Sequence, residues 1–302
     1  MDCICRQWHV PVSDSVLLET FEAVREKCPA IRELFVPDNI WPKFRAWHLR
    51  PDDQAFHVSI LMLALQRGHL WDVTSPAHRY LFASGDLNPG VRKQYVNDLR
   101  EQWMTMVEPM ERHHKFKMFF GRLIELQCAQ WLEEQGWTIT GLEAYRQGSD
   151  IEAQTADGNT TAFEVKFIGQ NDRGFDSVAR SLRGEAGVTL GSPYTGVNYI
   201  LFRAYEAAKQ LQQSCNAARI ALIVIDEMTW FTLETPLKDG WINWQNPRFN
   251  PNDPFIDKQR ETNPKLNMEL GPTLQTIDAV WILKGCSGHR LEREHELLMT
   301  HS

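Results

Sequence analysis

The segment from Gly148 to Phe167 constrains the fold of this chain more than any other stretch. Residues 150–154 and 162–167 each alternate polar with apolar side chains, which is typical of β-strands that are buried on one face. Between them lies Ala156-Asp157-Gly158-Asn159, and an Asp-Gly pair flanked by such residues indicates a hairpin turn. The segment therefore predicts two antiparallel strands that are joined by a short turn.

Three charged side chains gather on one side of the predicted hairpin. Side chains alternate between the faces of a strand, so Glu164 and Lys166 share a face, and strand pairing would bring Asp150 close to them. Two carboxylates beside an ammonium group form a place that can hold a divalent cation, because Mg²⁺ prefers oxygen ligands. The opposite face takes the apolar residues Phe163, Val165 and Phe167.

Length, charge and cysteine usage limit the class of protein. The 302 residues, of which 43% are hydrophobic and 24% charged, can bury a substantial core in one large domain or two ordinary ones. A formal net charge of -7 argues against a uniformly basic nucleic-acid-binding surface, but it is compatible with a local basic groove. Six cysteines without a Cys-x-x-Cys pair predict neither a zinc site nor a disulfide framework.

The sequence predicts no membrane segment. The residues after Met1 lack the apolar core of a signal peptide, and the longest apolar run, near Val58 to Leu65, is too short to cross a bilayer. We therefore expect a cytoplasmic protein without a membrane partner.

The N-terminal part of the chain, residues 1–108, predicts an all-helical module with little indication of catalytic or binding residues. Apolar side chains recur at helical spacing over residues 12–28, 55–66 and 89–107. We place a domain boundary at Glu108-Pro109, so that the module would serve recognition, oligomerisation or regulation while residues 109–302 form a second domain.

The second domain alternates helices with strands, which predicts an α/β fold with a mixed sheet that is flanked by helices. A long helix from about Met110 to Gln135 carries Glu125 beside its apolar face and ends at Gly136. The stretch 236–257 is rich in Trp, Pro and Asn and is expected to form a loop or insertion. The other predicted elements are strands at 137–142, 219–226 and 277–283, a helix at 198–213 and a short charged helix at the C-terminal end.

Basic residues near these elements are candidates for contact with a nucleic acid. Arg173, Arg180 and Arg183 lie along a glycine-rich connection that follows the hairpin, and Lys117 belongs to the basic start of the long helix. Connections of this length in a compact domain tend to be functional or mobile. Single basic residues are also commonly solvated, so both interpretations stay open for these four.

The order of these elements resembles the PD-(D/E)xK nuclease superfamily, whose members have the restriction-endonuclease-like fold. The resemblance covers roughly residues 112–228 and uses Asp150 and the triplet Glu164-Val165-Lys166 on two strands, with Glu125 on the preceding helix. It departs from the family pattern at Ser149, where the proline of the family's name would stand. The resemblance implies phosphodiester hydrolysis with Mg²⁺ (or Mn²⁺), and it favours a homodimer.

The resemblance also implies a role for each residue of the motif. Asp150 and Glu164 would bind the cation together with the backbone carbonyl of Val165, and Glu125 would complete the ligand shell directly or through a water. Lys166 would orient the attacking water or help to deprotonate it. The alternatives are that Asp150 is an ordinary turn residue and that Glu125 is a solvent-facing helix residue.

Three functions follow as hypotheses. The first is a metal-dependent endonuclease that hydrolyses phosphodiester bonds in DNA, in restriction or anti-phage defence. The second keeps the fold and the chemistry but cleaves RNA, and composition does not separate it from the first. The third is a catalytically inactive, nuclease-like binding or scaffold protein that associates through its 11 tryptophans.

Overall fold

The structure is a computed structural model of the 302-residue chain, and it divides into two compact units. The N-terminal unit contains the described residues up to Leu126, and the sheet unit contains those from Gln127 onward. The residues that the structure describes are 19, 22–23, 25–26, 28–34, 71–83, 87–105, 112–142, 149–169, 193–213, 218–225, 227–285 and 291–298.

In the N-terminal unit, the described elements are helical, as the sequence predicts. Arg100 on the third helix donates from Nε to the backbone carbonyl of Leu34 at 2.8 Å, which satisfies an otherwise unpaired C-terminal carbonyl of the first helix. The predicted helix at 55–66 lies outside the described residues, and the domain boundary at 108/109 stays a prediction. The helices are α1 (Pro29–Leu34), α2 (Trp71–His78), which continues in a π-helical turn (Arg79–Ala83), and α3 (Pro89–Thr105).

The long helix α4 (Arg112–Glu134) begins in the N-terminal unit and ends in the sheet unit, close to the predicted bounds. Its end is the predicted glycine stop. Gly136 has a φ of 91°, a conformation that only glycine adopts without strain, and the N–H of Trp137 then bonds the carbonyl of Leu132 at 3.0 Å. This turn directs the chain from the helix into the first strand.

The sheet unit contains a six-stranded mixed sheet with the spatial order β1-β2-β3-β4-β5-β6. The first three strands and the last pair are antiparallel, whereas β3, β4 and β5 are parallel to one another. The chain is therefore α/β with a mixed open sheet, as predicted. The strands are β1 (Thr138–Leu142), β2 (Ile151–Gln154), β3 (Thr160–Ile168), β4 (Ala218–Ile225), β5 (Ala279–Lys284) and β6 (Glu292–Leu298).

Helices connect the parallel strands. Parallel neighbours need a crossover connection, and α5 (Pro193–Leu211) supplies it between β3 and β4. The crossover between β4 and β5 holds α6 (Glu227–Lys238), α7 (Pro254–Thr262) and α8 (Leu266–Leu274). The structure thus has eight helices within its described residues.

The hairpin that dominates the sequence pattern is confirmed as β2 and β3. Its connection is closed by hydrogen bonds from the N–H of Thr155 to the carbonyl of Asn159 at 3.1 Å and from the N–H of Gly158 to the carbonyl of Thr155 at 2.9 Å. Gly158 has a φ of 79°, so the turn requires the glycine that the sequence places there. Local turn chemistry was sufficient to predict this element.

The two faces of the sheet pack against different helices. Ala162 and Ile168 on one face of β3 belong to a buried cluster that includes residues of α5, α6, α7 and α8. On the other face, the Phe163 ring lies 5.8 Å from the ring of Trp281, which in turn lies 6.2 Å from the ring of Trp131 on α4. Glu164 and Lys166 alternate with Phe163 and therefore lie on the face that α5 covers.

The C-terminal segment corrects one prediction, because residues 292–298 form strand β6 rather than a charged helix. The charged residues of this segment have no strong preference for a strand, but β5 would otherwise be an apolar edge strand with unpaired backbone groups. Pairing with β6 satisfies those groups, and the indole Nε1 of Trp281 donates to Glu296 at 3.1 Å across the pair. Tertiary pairing here overrides local propensity.

The irregular stretch between α6 and α7 is held to α5 by one buried amide. Asn198 is fully buried, donates from Nδ2 to Asp253 at 2.7 Å and accepts at Oδ1 from the N–H of Asn250 at 2.8 Å. Asp253 also caps the N-terminus of α7 through the N–H of Phe255 at 2.9 Å. The amide therefore connects α5 to the stretch that the sequence predicts as a loop or insertion.

We expect Asn198→Ala to lower the free energy of unfolding by about 2–3 kcal/mol, because it removes one donor from the buried carboxylate of Asp253 and the acceptor of the partly buried N–H of Asn250. Urea denaturation measures the change. Asn243→Ala is the matched control, since Asn243 lies in the same stretch and accepts from two N–H groups but is exposed. An equal loss in both variants would contradict the importance of burial at Asn198.

The helices were also compared with the length and hydropathy that a bilayer requires. Across the described ranges, none is long and apolar enough to cross a membrane.

Candidate metal and catalytic site

Asp150 is tied to the backbone of β3 on both sides of Glu164. Its N–H donates to the carbonyl of Phe163 at 3.0 Å, and its side-chain Oδ2 accepts from the N–H of Val165 at 2.7 Å. The short second bond is charge-assisted, and such bonds are stronger than those between neutral groups. Asp150 is therefore held beside the Glu164-Val165-Lys166 triplet.

Asp150 lies just before the first residue of β2, beside the part of β3 that extends beyond its pairing with β2. The ladder between the strands runs from Gln154 with Thr160 to Ile151 with Phe163. Within a strand, the N–H and C=O of one residue point toward the same neighbour. The carbonyl of Val165 thus points to the edge from which its N–H reaches Asp150, which is the position that a cation ligand at this edge requires.

Glu164 and Lys166 form an ion pair in which Glu164 is buried and Lys166 is half-buried. Nζ of Lys166 lies 2.6 Å from Oε1 of Glu164, and their side chains are only 16% and 3% exposed respectively. The pair lies on the face that carries Ala162 and Ile168, and Ala221 on β4 is the register partner of Glu164. A carboxylate in such apolar surroundings requires a cationic partner, which Lys166 supplies.

The donor set of this site suits a divalent metal ion with oxygen ligands. Mg²⁺ is usually bound by one or two carboxylates and retains several waters, and Asp150, Glu164 and the Val165 carbonyl offer that combination. Within the described ranges, no group of three or more His, Cys, Asp and Glu side chains is placed to hold a metal. Binding of a cation by these residues stays a prediction.

Glu125 lies in the N-terminal unit and is only 9% exposed, so it is not a solvent-facing helix residue. Arg122 donates from one nitrogen to both of its carboxylate oxygens, at 2.9 and 3.2 Å, and the hydroxyl of Tyr95 donates to it at 3.1 Å. Arg122 also reaches Asp98 on α3 at 3.4 Å. Glu125 thus joins α4 to α3, and its role in the metal shell stays a prediction.

Arg122 and Tyr95 are the partners that sequence reasoning missed. Arg122 precedes Glu125 by three residues, and oppositely charged residues at that spacing on a helix are neighbours, so the pattern contained a usable signal. Tyr95 gave no comparable signal. It lies in the stretch 89–107, where apolar side chains recur at helical spacing, and it is fully buried; only the packing of α3 on α4 brings its hydroxyl to Glu125.

The candidate nucleic-acid contacts stay predictions. Arg173, Arg180 and Arg183 lie outside the described residues. Lys117 belongs to α4, near the start of the helix. A contact between any of these four and a nucleic acid stays a prediction.

The chain was compared with protein-family models, with curated proteins and with solved structures. None of the three comparisons found a match. Assignment of function therefore depends on the site itself.

Proposed function

We propose that this protein is a metal-dependent endonuclease that hydrolyses phosphodiester bonds in DNA, with the restriction-endonuclease-like fold and a role in restriction or anti-phage defence. The observation that carries the proposal is the position of Asp150, whose carboxylate bonds the N–H of Val165 between Glu164 and Lys166. This bond links Asp150, which precedes β2, to the strand on the other side of the hairpin turn.

The order of elements also supports the proposal. The helix α4 precedes the hairpin that bears Asp150 and the Glu164-Val165-Lys166 triplet, and α5 and the buried strand β4 follow it. That is the arrangement for which we noted a resemblance to PD-(D/E)xK nucleases. Fold alone does not establish an activity, so the residues of the site carry more weight.

The chemistry of phosphodiester hydrolysis explains why these residue types belong together. Water adds to phosphorus, the bond from phosphorus to one sugar oxygen breaks, and negative charge accumulates on the phosphoryl and leaving oxygens. A Mg²⁺ or Mn²⁺ ion held by Asp150, Glu164 and the Val165 carbonyl would supply positive charge at those oxygens. The side chains of the protein then have to position the water and its proton.

Lys166 is suited to position the water. Its ammonium group has three N–H donors, and one of them is directed to Oε1 of Glu164. That hydrogen bond holds Nζ 2.6 Å from the carboxylate. A second N–H of Lys166 can then donate to the attacking water. Glu164 lies beside Nζ and would hold the cation next to that water, and the cation's charge would favour loss of a proton from the water to solvent.

A digestion profile tests the proposed activity. We expect the purified full-length protein to cleave duplex DNA in the presence of Mg²⁺ or Mn²⁺, and to lose that activity in excess EDTA and regain it when the metal is restored. Duplex DNA, single-stranded DNA and RNA of matched sequence should be incubated in parallel. Cleavage of RNA alone would replace the DNA assignment by the RNA-cleaving alternative.

Absence of cleavage of any substrate, with both metals and over a range of protein concentrations, would favour the third hypothesis, a nuclease-like binding protein. Size-exclusion chromatography with light scattering on the same preparation tests the homodimer, which is expected from the resemblance. The cytoplasmic location likewise stays a prediction.

A further inference from the structure

Ser149, the residue before Asp150, has a buried hydroxyl group with no hydrogen-bond partner within the part of the chain that the structure describes. The residue is 6% exposed, and among the described residues no donor or acceptor lies within hydrogen-bonding distance of its Oγ. Burying a hydroxyl group without a hydrogen bond costs about 1–3 kcal/mol, so native proteins rarely leave one in this state. A group outside the protein is the natural partner for this hydroxyl.

The position of Ser149 connects this hydroxyl to the candidate metal site. Adjacent Cα atoms are about 3.8 Å apart, and Asp150 is held against β3 by one hydrogen bond to the carbonyl of Phe163 and one from the N–H of Val165. Ser149 thus has little freedom to move away from the site. It is also the position at which the chain departs from the proline of the PD-(D/E)xK pattern, and proline has no hydroxyl to offer.

Burial decides which external group suits Ser149. A phosphate of a polymeric substrate approaches along an open surface, whereas a single water occupies only about 30 Å³ and fits beside a buried side chain. Mg²⁺ and Mn²⁺ sites in proteins commonly retain waters, and protein groups that hydrogen-bond to the metal's ligands tune its affinity. A water between Ser149 and the cation meets both conditions.

We propose that Ser149 is a positioning residue whose hydroxyl holds a water in the ligand shell of the divalent cation at Asp150 and Glu164. The inference rests on the proposed function, because it assumes that these carboxylates bind a metal. It assigns Ser149 a role that proline could not fill, and it explains why a buried hydroxyl stands at this position.

The test is the affinity of the full-length protein for Mn²⁺, measured by isothermal titration calorimetry without substrate. We expect Ser149→Ala to weaken Mn²⁺ binding about 10–100-fold, which is the usual effect of removing a group that supports a metal's ligands. Ser149→Thr keeps the hydroxyl and is expected to bind within about threefold of the wild type.

The unfolding midpoint in EDTA provides a second readout. If the hydroxyl had only a structural role, Ser149→Ala would lower this midpoint. Removing an unpaired buried hydroxyl is neutral or stabilising, so the unfolding midpoint of metal-free Ser149→Ala should equal or exceed that of the wild type. Thr155→Val is the matched control, because Oγ1 of Thr155 is also buried and unpaired but lies at the other end of β2. It should leave Mn²⁺ affinity unchanged.

Two results would overturn the inference. Wild-type affinity for Mn²⁺ in Ser149→Ala would show that the hydroxyl does not support the metal, and a lowered unfolding midpoint in EDTA would show that it has a structural partner. If Asp150→Asn abolishes Mn²⁺ binding while Ser149→Ala does not, only the role of Ser149 fails. If the wild type itself does not bind Mn²⁺, the metal site and the role of Ser149 fail together.

Discussion

Substitution of Lys166 by methionine should cost the protein both its nuclease activity and part of its stability. Methionine retains the apolar stem of the side chain but removes the ammonium group that lies 2.6 Å from the carboxylate of Glu164, a residue that is 2% exposed. Breaking a buried ion pair by removing one member costs about 3–5 kcal/mol. Loss of a group that positions the attacking water should lower the cleavage rate by about 10²–10⁴-fold.

The stability of Lys166→Met should also depend on metal. A divalent cation that binds Glu164 replaces the missing positive charge, so Mn²⁺ is expected to raise the unfolding midpoint of the variant by more than it raises that of the wild type. Thermal unfolding with Mn²⁺ and with EDTA measures this difference. An equal increase in both proteins would indicate that the cation does not bind at Glu164.

Two further variants distinguish the effect of burial on stability from the effect of charge. Lys238 pairs with Glu234 at the same 2.6 Å distance, but the side chains are 59% and 39% exposed, so Lys238→Met should leave the unfolding midpoint unchanged. Adding Glu164→Gln to Lys166→Met removes the buried negative charge as well and should restore part of the lost stability without restoring cleavage. Full activity in the double variant would contradict the assigned roles of both residues.

Substitution of Asp150 by asparagine should abolish metal binding while it preserves the fold. The amide oxygen of asparagine can still accept the N–H of Val165, the bond that Asp150 makes at 2.7 Å, but the negative charge is lost. A bound metal contributes several kcal/mol to stabilisation of the charged transition state, so the cleavage rate should fall by about 10³-fold or more. Calorimetric titration with Mn²⁺ should show no heat of binding.

The control for this change is Asp157→Asn, the same substitution in the exposed turn of the same hairpin. It should retain the wild-type cleavage rate and Mn²⁺ affinity. Cleavage by Asp150→Asn at the wild-type rate would refute the nuclease site, because no step of the proposed hydrolysis proceeds equally well without this carboxylate. A low rate caused by misfolding would be recognised by a lowered unfolding midpoint.

Much of the sheet unit was predictable because its signals are local. The Asp-Gly turn, the glycine after α4 and the apolar run of β4 each determine structure within a few residues, and the observed elements begin and end close to the predicted ones. Prediction failed at β6, where charged residues without a strong strand preference pair with β5. The partner of a strand is distant in sequence, so periodicity within the segment could not reveal it.

The candidate site shows the same division. Alternation along β3 was enough to place Glu164 and Lys166 on one face, but it could not indicate how deeply that face is buried. The partners of Glu125 divide in the same way: Arg122 follows from helical spacing, whereas Tyr95 depends on the packing of α3 against α4. The burial of a sheet face depends on which helices pack against it. Those helices are distant in sequence, so the strand itself does not indicate them.

By itself, the sequence determined the hairpin, the face shared by Glu164 and Lys166, and the order of helices and strands around them, because turn geometry and side-chain alternation are local properties of the chain. Only the tertiary structure decided that α5 buries this face, that Asp150 bonds the backbone of Val165, and that the hydroxyl of Ser149 is buried with no partner among the described residues. These features arise where segments distant in sequence exclude water from one another, so they follow from packing and not from any single stretch.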